Sequence, residues 1–262
     1  MPTTELYNPG SFCWFELATT DLAAAKQFYM SLFGWSVNDM SMGPEEVYSM
    51  FQLEGKDVGA AYNMRPEQRS GGVPPNWMVY VAVQNADEFA RRAGELGGKV
   101  CAQAFDVGDM GRMAVLADPT EATFSVWQAK KQTVALAQGV DGSVCWADLS
   151  TSDAETAKRF YSDLFGWQID GENDPSGYLH IKNGDQPIGG IQSPHQHRAG
   201  TPPHWLIYFL ISDCNGSSAK AVDLGAQVLL EPMEIENVGR MAVLKDPQGA
   251  VFALFQPAPR VR

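Results

Sequence analysis

A chain of 262 residues, 45% of them hydrophobic, can bury one large core or two ordinary ones, since domains commonly run to roughly 100–200 residues. A net charge of −12 and a pI near 4.7, with no Lys/Arg cluster to make a local exception, set the surface against phosphate backbones and exclude nucleic acid as a partner. No apolar run reaches the roughly 18–20 residues of a membrane span, and the first ten residues carry neither a basic region nor an apolar stretch, so no membrane partner and a cytoplasmic location are expected.

From Phe12 an apolar run rich in aromatic residues reads as a strand. Asp21 stands where a helix N-cap would, and Leu22, Ala25, Phe28, Tyr29 and Leu32 then recur at helical spacing until Gly34 ends the helix. Three short strands follow, near 35–40, 47–54 and 57–63, separated by polar or Gly/Pro turns. At Trp77 the cycle restarts with WMVYVAV, a helix from about Asp87 to Leu96, a Gly-Gly stop, and strands near 99–107, 111–117 and 122–128. The loop between the two cycles, Met64 to Asn76, contains proline and glycine. Each cycle is a βαβββ module, and the apolar strand pattern stops at a polar linker, 132–141.

After the linker the text repeats. CWFELATTDLAAAKQFYMSLFGW from Cys13 returns as CWADLSTSDAETAKRFYSDLFGW from Cys145, an offset of 132. PPNWMVYV at Pro74 returns as PPHWLIYF at Pro202, and GRMAVLADP at Gly111 as GRMAVLKDP at Gly239, both offset by 128. The chain is therefore a duplicated domain, 8–131 and 142–258, each copy containing two βαβββ modules. The expected class is α+β, with mixed sheets whose helix-free face is cupped and open to a ligand.

The four cysteines, Cys13, Cys101, Cys145 and Cys214, form no CxxC pair, which argues against zinc and against a disulfide scaffold, and all are expected to pack as small hydrophobes. The histidines, His180, His195, His197 and His204, all lie in the second copy. His195 and His197 supply only two donors and are expected in a solvated loop. Gly59 and Gly189 are expected to permit close backbone approach, and no nucleophile elbow or phosphate loop appears.

Strand, Asp-Leu, a helix ending FYMSLFGW and a later GRMAVLADPTEATFSVWQ together resemble the vicinal-oxygen-chelate superfamily, which includes glyoxalases, bleomycin-resistance proteins and extradiol dioxygenases. The resemblance covers nearly all of both copies, and the tandem arrangement is similar to actinobacterial proteins described as glyoxalase-like or as hydroxylases near antibiotic pathways. It implies a tandem of two glyoxalase-like domains. Metal-using members place His, Gln or Glu early in the first strand, His or Glu at the start of the fifth, and Glu in the eighth. Carried over by distance from the shared motifs, these positions hold Trp14 and Trp146, Trp77 and Trp205, and Ser125 and Ala253.

Indole and methyl groups offer no ligating lone pair, and a lone serine hydroxyl is weak. No metal and no cofactor are therefore expected. The four tryptophans are expected to line ligand-binding cups for an aromatic metabolite, together with Ser125. Glu16 and Asp148, two residues after Trp14 and Trp146, share their strand face and are candidate general bases whose desolvation would raise their pKa. Arg112 and Arg240 are available either to pair with those carboxylates or to anchor a ligand anion. The alternative is a metal-dependent glyoxalase-type lyase, isomerase or oxygenase with a displaced site using Glu16, Asp148 or His204. Pairing of modules within or across copies stays open, as do catalysis itself, ligand identity and homodimerisation.

Overall fold

In a computed structural model, which describes residues 8–43, 46–131, 136–171, 174–193, 197 and 200–259, the four βαβββ modules appear in the expected order. The first consists of β1 (Phe12–Thr19), α1 (Leu22–Phe33), β2 (Ser36–Ser41), β3 (Val47–Leu53) and β4 (Lys56–Asn63). A short helix, α2 (Pro66–Ser70), occupies the following loop. The second module is β5 (Asn76–Ala82), α3 (Ala86–Glu95), β6 (Lys99–Val107), β7 (Gly111–Ala117) and β8 (Thr123–Ala129). The third is β9 (Val144–Ser150), α4 (Ala154–Phe165), β10 (Gln168–Asp170), β11 (Leu179–Asn183) and β12 (Gln186–Ile191). The fourth is β13 (His204–Leu210), α5 (Cys214–Asp223), β14 (Gln227–Ile235), β15 (Gly239–Lys245) and β16 (Val251–Pro257).

Local chemistry explains the helix ends. Asp21 accepts from the Ala24 amide at the start of α1, and Asp153 does the same for Thr156 in α4. Gly34 and Gly166 close these helices in the left-handed region at φ 73° and 74°, which a side chain would strain.

Each copy forms one mixed eight-stranded sheet, ordered β2-β3-β4-β1-β5-β8-β7-β6 and β10-β11-β12-β9-β13-β16-β15-β14. The fold is thus α+β, with one mixed sheet from each copy. Strand β4 runs parallel to β1 because α1 carries the chain back across the sheet, and the same holds for β8 beside β5. The expected close approach is real: a Cβ on Gly59 would lie 2.5 Å from the Phe15 carbonyl oxygen, and one on Gly189 would lie 2.3 Å from that of Ala147.

Hydrogen bonding follows the repeat, whereas compactness crosses it. One compact unit, here called the inner unit because it holds the two middle modules of the chain, gathers 8–14 with 78–131 and 147–206. The other, the outer unit, gathers 15–77, 134–146 and 207–262. Modules therefore pack across the copies, second with third and first with fourth.

In the outer unit Tyr29 of α1 lies among Trp35, Phe51, Trp77 and Phe252, with ring centroids 5.3–6.0 Å away. Its hydroxyl accepts from Trp77 Nε1 at 2.9 Å and donates to Asp246 Oδ2 at 2.9 Å. The other oxygen of Asp246 accepts the amides of Gln248, Gly249 and Ala250, fixing the Asp-Pro turn. The inner unit repeats this arrangement: Trp205 Nε1 donates to the Tyr161 hydroxyl at 3.0 Å, with the Asp118 carboxylate beside it. Burial, reinforced by the neighbouring carboxylate, drives both tyrosine hydroxyls well above their ordinary range. Each such ring buries ~150–250 Å², worth at most about 4–6 kcal/mol at ~25 cal/mol per Å².

Candidate functional site

The site is built on the sheet face turned away from the long helices. Along β1, buried Cys13, Phe15 and Leu17 alternate with half-buried Trp14 and Glu16. In the outer unit, Tyr48 of β3 donates its hydroxyl proton to Glu16 Oε2 at 2.7 Å. Register explains the meeting, since Glu16 stands opposite Ala60 of β4 and Tyr48 opposite Tyr62. Gln68 of α2 donates to the Tyr62 hydroxyl at 2.8 Å. Burial first, and then the Glu16 charge, pushes the Tyr62 hydroxyl up.

The inner unit carries the counterpart from the second copy. Tyr178 donates to Asp148 Oδ1 at 2.6 Å, and Asp148 is buried. Across the sheet Asp148 stands opposite Gly190 of β12, which stands opposite His180 of β11. The Tyr178 ring lies over that glycine: a Cβ on Gly190 would fall 1.9 Å from the hydroxyl oxygen. A shorter carboxylate with glycine beneath it thus makes the bond that the longer Glu16 makes above Ala60. Ser150 Oγ lies 3.0 Å from His197 Nδ1, and His204 Nδ1 meets the Pro202 carbonyl at 2.9 Å. Burial, with a smaller contribution from His197, holds the His204 imidazole below its usual pKa. His180 packs edge-on against Tyr178 at 4.9 Å.

Also in the inner unit, Trp14, Met78, Val107, Val115 and Trp127 are partly buried against Cys13, Tyr80, Ala82 and Met113. Ser125 is in register with Tyr80 on one side and Val115 on the other. It is completely buried, and its Oγ has no hydrogen-bond partner among the described residues. Such a hydroxyl costs about 1–3 kcal/mol until something meets it. Trp146 is half-buried on β9 in the outer unit.

Several sequence expectations need correction. Trp77 and Trp205 are 4% and 5% exposed and belong to the helix-side aromatic cores, their indole N–H groups spent on Tyr29 and Tyr161. Neither reaches the helix-free face. The residues of β5 that do, Met78 and Tyr80, are one position on, and one residue of register reverses every side chain of a strand. Arg112 shares its face of β7 with buried Ala114 and Leu116, and reaches to α3, where it grips Asp87 with two bonds of 2.7 and 2.8 Å. It also meets Asp106 at 3.2 Å. Arg240 likewise binds Glu234 and Asn215 at 3.2 and 3.1 Å. Tyr48 and Tyr178 donate to Glu16 and Asp148, while Arg112 and Arg240 are engaged elsewhere. Cys101 is exposed, whereas Cys13 is buried with its thiol pKa raised by desolvation. His197 is half-buried on Ser150, and His195 lies outside the described residues.

Tyr48 and Tyr178 escaped the sequence reading, although their offset of 130 lies between those of the flanking repeats. Among the described residues no three His, Cys, Asp or Glu side chains gather in a ligating group. Glu16 and Asp148 each face a tyrosine hydroxyl, and His204 directs Nδ1 at a backbone carbonyl.

A family model described as a glyoxalase-like domain matches residues 144–255, and one described as bleomycin resistance protein-like N-terminal matches 11–52. The protein named "Putative glyoxylase CFP32" from Mycobacterium tuberculosis is 40% identical over 263 residues, covering 99% of this chain and 100% of its own. Anthracycline biosynthesis protein DnrV of Streptomyces peucetius is 36% identical, covering 95% of this chain and 94% of its own. Among solved structures, the Mn(II)-bound glyoxalase from Novosphingobium aromaticivorans superimposes with TM-score 0.64 at 12% identity, over 96% of this chain and 83% of its own. The 2,3-dioxygenase LapB from Pseudomonas sp. KL28 gives 0.62 at 12% identity, over 98% and 97%.

Proposed function

The chain belongs to the vicinal-oxygen-chelate superfamily of glyoxalases, bleomycin-resistance proteins and dioxygenases, and from that premise we propose that it binds an aromatic metabolite without the superfamily's divalent metal. The observation that carries the reading is the inner-unit patch. Trp14, Trp127, Met78 and Val115 are partly buried flat or pliable apolar side chains packed against one cluster, and Ser125, whose buried hydroxyl has no partner among the described residues, stands in register with Tyr80 and Val115. A planar ring would cover the exposed part of the indoles. Two relatives carry names that place them in anthracycline biosynthesis, a polycyclic aromatic chemistry of suitable shape.

If the bound ring is modified, Glu16 and Asp148 are the groups to hold or move a proton, each with a tyrosine hydroxyl on one oxygen. Nucleic acid and membrane surfaces play no part in this reading, and a homodimer is not required by it. The test is a tryptophan-fluorescence titration with polycyclic phenols and quinones. Saturable quenching that weakens at least tenfold in Trp14→Ala, with Arg112→Ala as a folded control that behaves as wild type, supports the proposal. Equal affinity in wild type and Trp14→Ala for every ring system defeats it.

A further inference from the structure

A recess of about 350 Å³ lies in the outer unit, between the start of α5 and strands β14, β15 and β16, and it takes no part in the aromatic-binding proposal. The repeat makes its construction readable. Asn215 answers to Asp87, Glu234 to Asp106, Arg240 to Arg112, Gln256 to Gln128 and Ala258 to Lys130, each at an offset of 128. The scaffold is the same in both copies: Gln128 Oε1 accepts the Ala86 amide at the start of α3, and Gln256 Oε1 accepts the Cys214 amide at the start of α5.

In the first copy the charges close on themselves. Arg112 holds both oxygens of Asp87, one of Asp106 and the Ala104 carbonyl, and Lys130 Nζ lies 2.7 Å from Asp106 Oδ1. Two carboxylates and two cations thus offset one another. The second copy lacks one of each, since Asn215 stands for Asp87 and Ala258 for Lys130. A guanidinium carries five N–H donors, yet Arg240 makes two bonds, Nε to Glu234 Oε2 at 3.2 Å and Nη1 to Asn215 Oδ1 at 3.1 Å. Its Nη2 has no partner among the described residues, and neither has Glu234 Oε1. Asp213, which caps α5 through the Gly216 amide at 3.0 Å, adds a further negative charge to the lining.

We propose that this recess binds a free α-amino acid, whose ammonium takes the place of Lys130 beside Glu234 and whose carboxylate takes the place of Asp87 on Arg240. The carboxylate makes charge-assisted bonds to the uncommitted guanidinium donors. The ammonium offsets the surplus negative charge of Glu234 and Asp213. A lone anion would meet those two carboxylates, and a lone cation would leave the Arg240 donors unmet, so the lining selects a ligand that carries both signs. Pro257, Ala258 and Pro259 give the amino acid's own side chain an apolar wall, and the volume admits one beyond the charged head.

Isothermal titration of the full chain with L-leucine, leucinamide and N-acetylleucine separates the two charges, since the second compound lacks the carboxylate and the third the ammonium. Wild type is expected to bind L-leucine saturably and each analogue at least about tenfold more weakly, the effect of losing a charge-assisted bond. Asn215→Asp combined with Ala258→Lys rebuilds the first copy's network inside the recess. This double variant should keep or raise the thermal midpoint and bind L-leucine at least about tenfold more weakly, which separates occupancy of the site from loss of fold. Arg240→Gln should weaken L-leucine binding to a similar degree, and Arg112→Gln, at the counterpart position, should leave it unchanged. Absence of saturation by L-leucine up to about 10 mM overturns the proposal. Equal affinity for leucinamide or N-acetylleucine, or undiminished binding in the double variant, overturns it as well, and none of these results touches the aromatic-binding reading.

Discussion

Replacing Tyr29 by phenylalanine removes one oxygen from the centre of the outer unit and leaves the ring stack in place. That oxygen accepts from Trp77 Nε1 and donates to Asp246 Oδ2, each at 2.9 Å in a fully buried setting. A neutral hydrogen bond contributes ~0.5–1.5 kcal/mol and one to a charged group ~1.5–3, and both partners here would remain buried and unmet. The expected loss is about 2–4 kcal/mol, or roughly 4–16 °C in thermal midpoint at ~2–4 °C per kcal/mol for a domain of this size. Thermal unfolding followed by far-UV circular dichroism reads it, and Tyr161→Phe in the inner unit should behave alike, since Trp205 and Asp118 surround that hydroxyl. A Tyr29→Phe midpoint within 2 °C of wild type would refute the claim that this hydroxyl ties the first module to the fourth.

Burial raises the folded pKa of Asp246 above its unfolded value near 3.8. Its contribution to stability is therefore present below pH 3.8 and is lost as pH rises through the folded pKa. Asp246→Asn should remove that dependence, so the wild-type advantage over the variant in urea midpoint shrinks as pH rises; an advantage that grows with pH contradicts the sign. Gly59→Ala puts a methyl 2.5 Å from the Phe15 carbonyl oxygen between β1 and β4, and a loss of about 1–3 kcal/mol is expected from denaturant titration. No measurable loss would mean that the two strands part freely. Arg112→Ala breaks ion pairs that are partly exposed, with its own side chain 27% accessible, so only a slight fall in stability is expected, and less again in high salt. A tenfold fall in affinity for a neutral ring would instead return Arg112 to the ligand face.

The periodic elements were legible because their local physics is complete in the sequence. Leu22, Ala25, Phe28, Tyr29 and Leu32 are the buried residues of α1, bounded by Asp21 and Gly34 as expected. Placement between modules was not legible. The Phe-Tyr helix motif and the Asp-Pro turn were both visible, yet nothing in the chain states that Tyr29 of one copy meets Asp246 of the other. The tryptophans illustrate how one residue of register decides a role: Trp77 lies with the helix-side core, while Trp14, like Met78 and Trp127, packs against the cluster of Cys13, Tyr80, Ala82 and Met113. Alternation along GRMAVL, with Ala114 and Leu116 buried beside Arg112, could have placed the arginine toward the helices. Tyr48 arrives from β3 and Tyr178 from the residue just ahead of β11, and only the folded sheet brings either one to its carboxylate.

The most direct test of the central claim is the binding isotherm of a polycyclic phenol on protein stripped by chelator, repeated after addition of manganese, iron, nickel or zinc. The proposal predicts the same saturable binding in every case, because it places the ring on tryptophan and methionine side chains and on no ion. Binding that appears only with a divalent ion, together with one ion retained per chain, would contradict it.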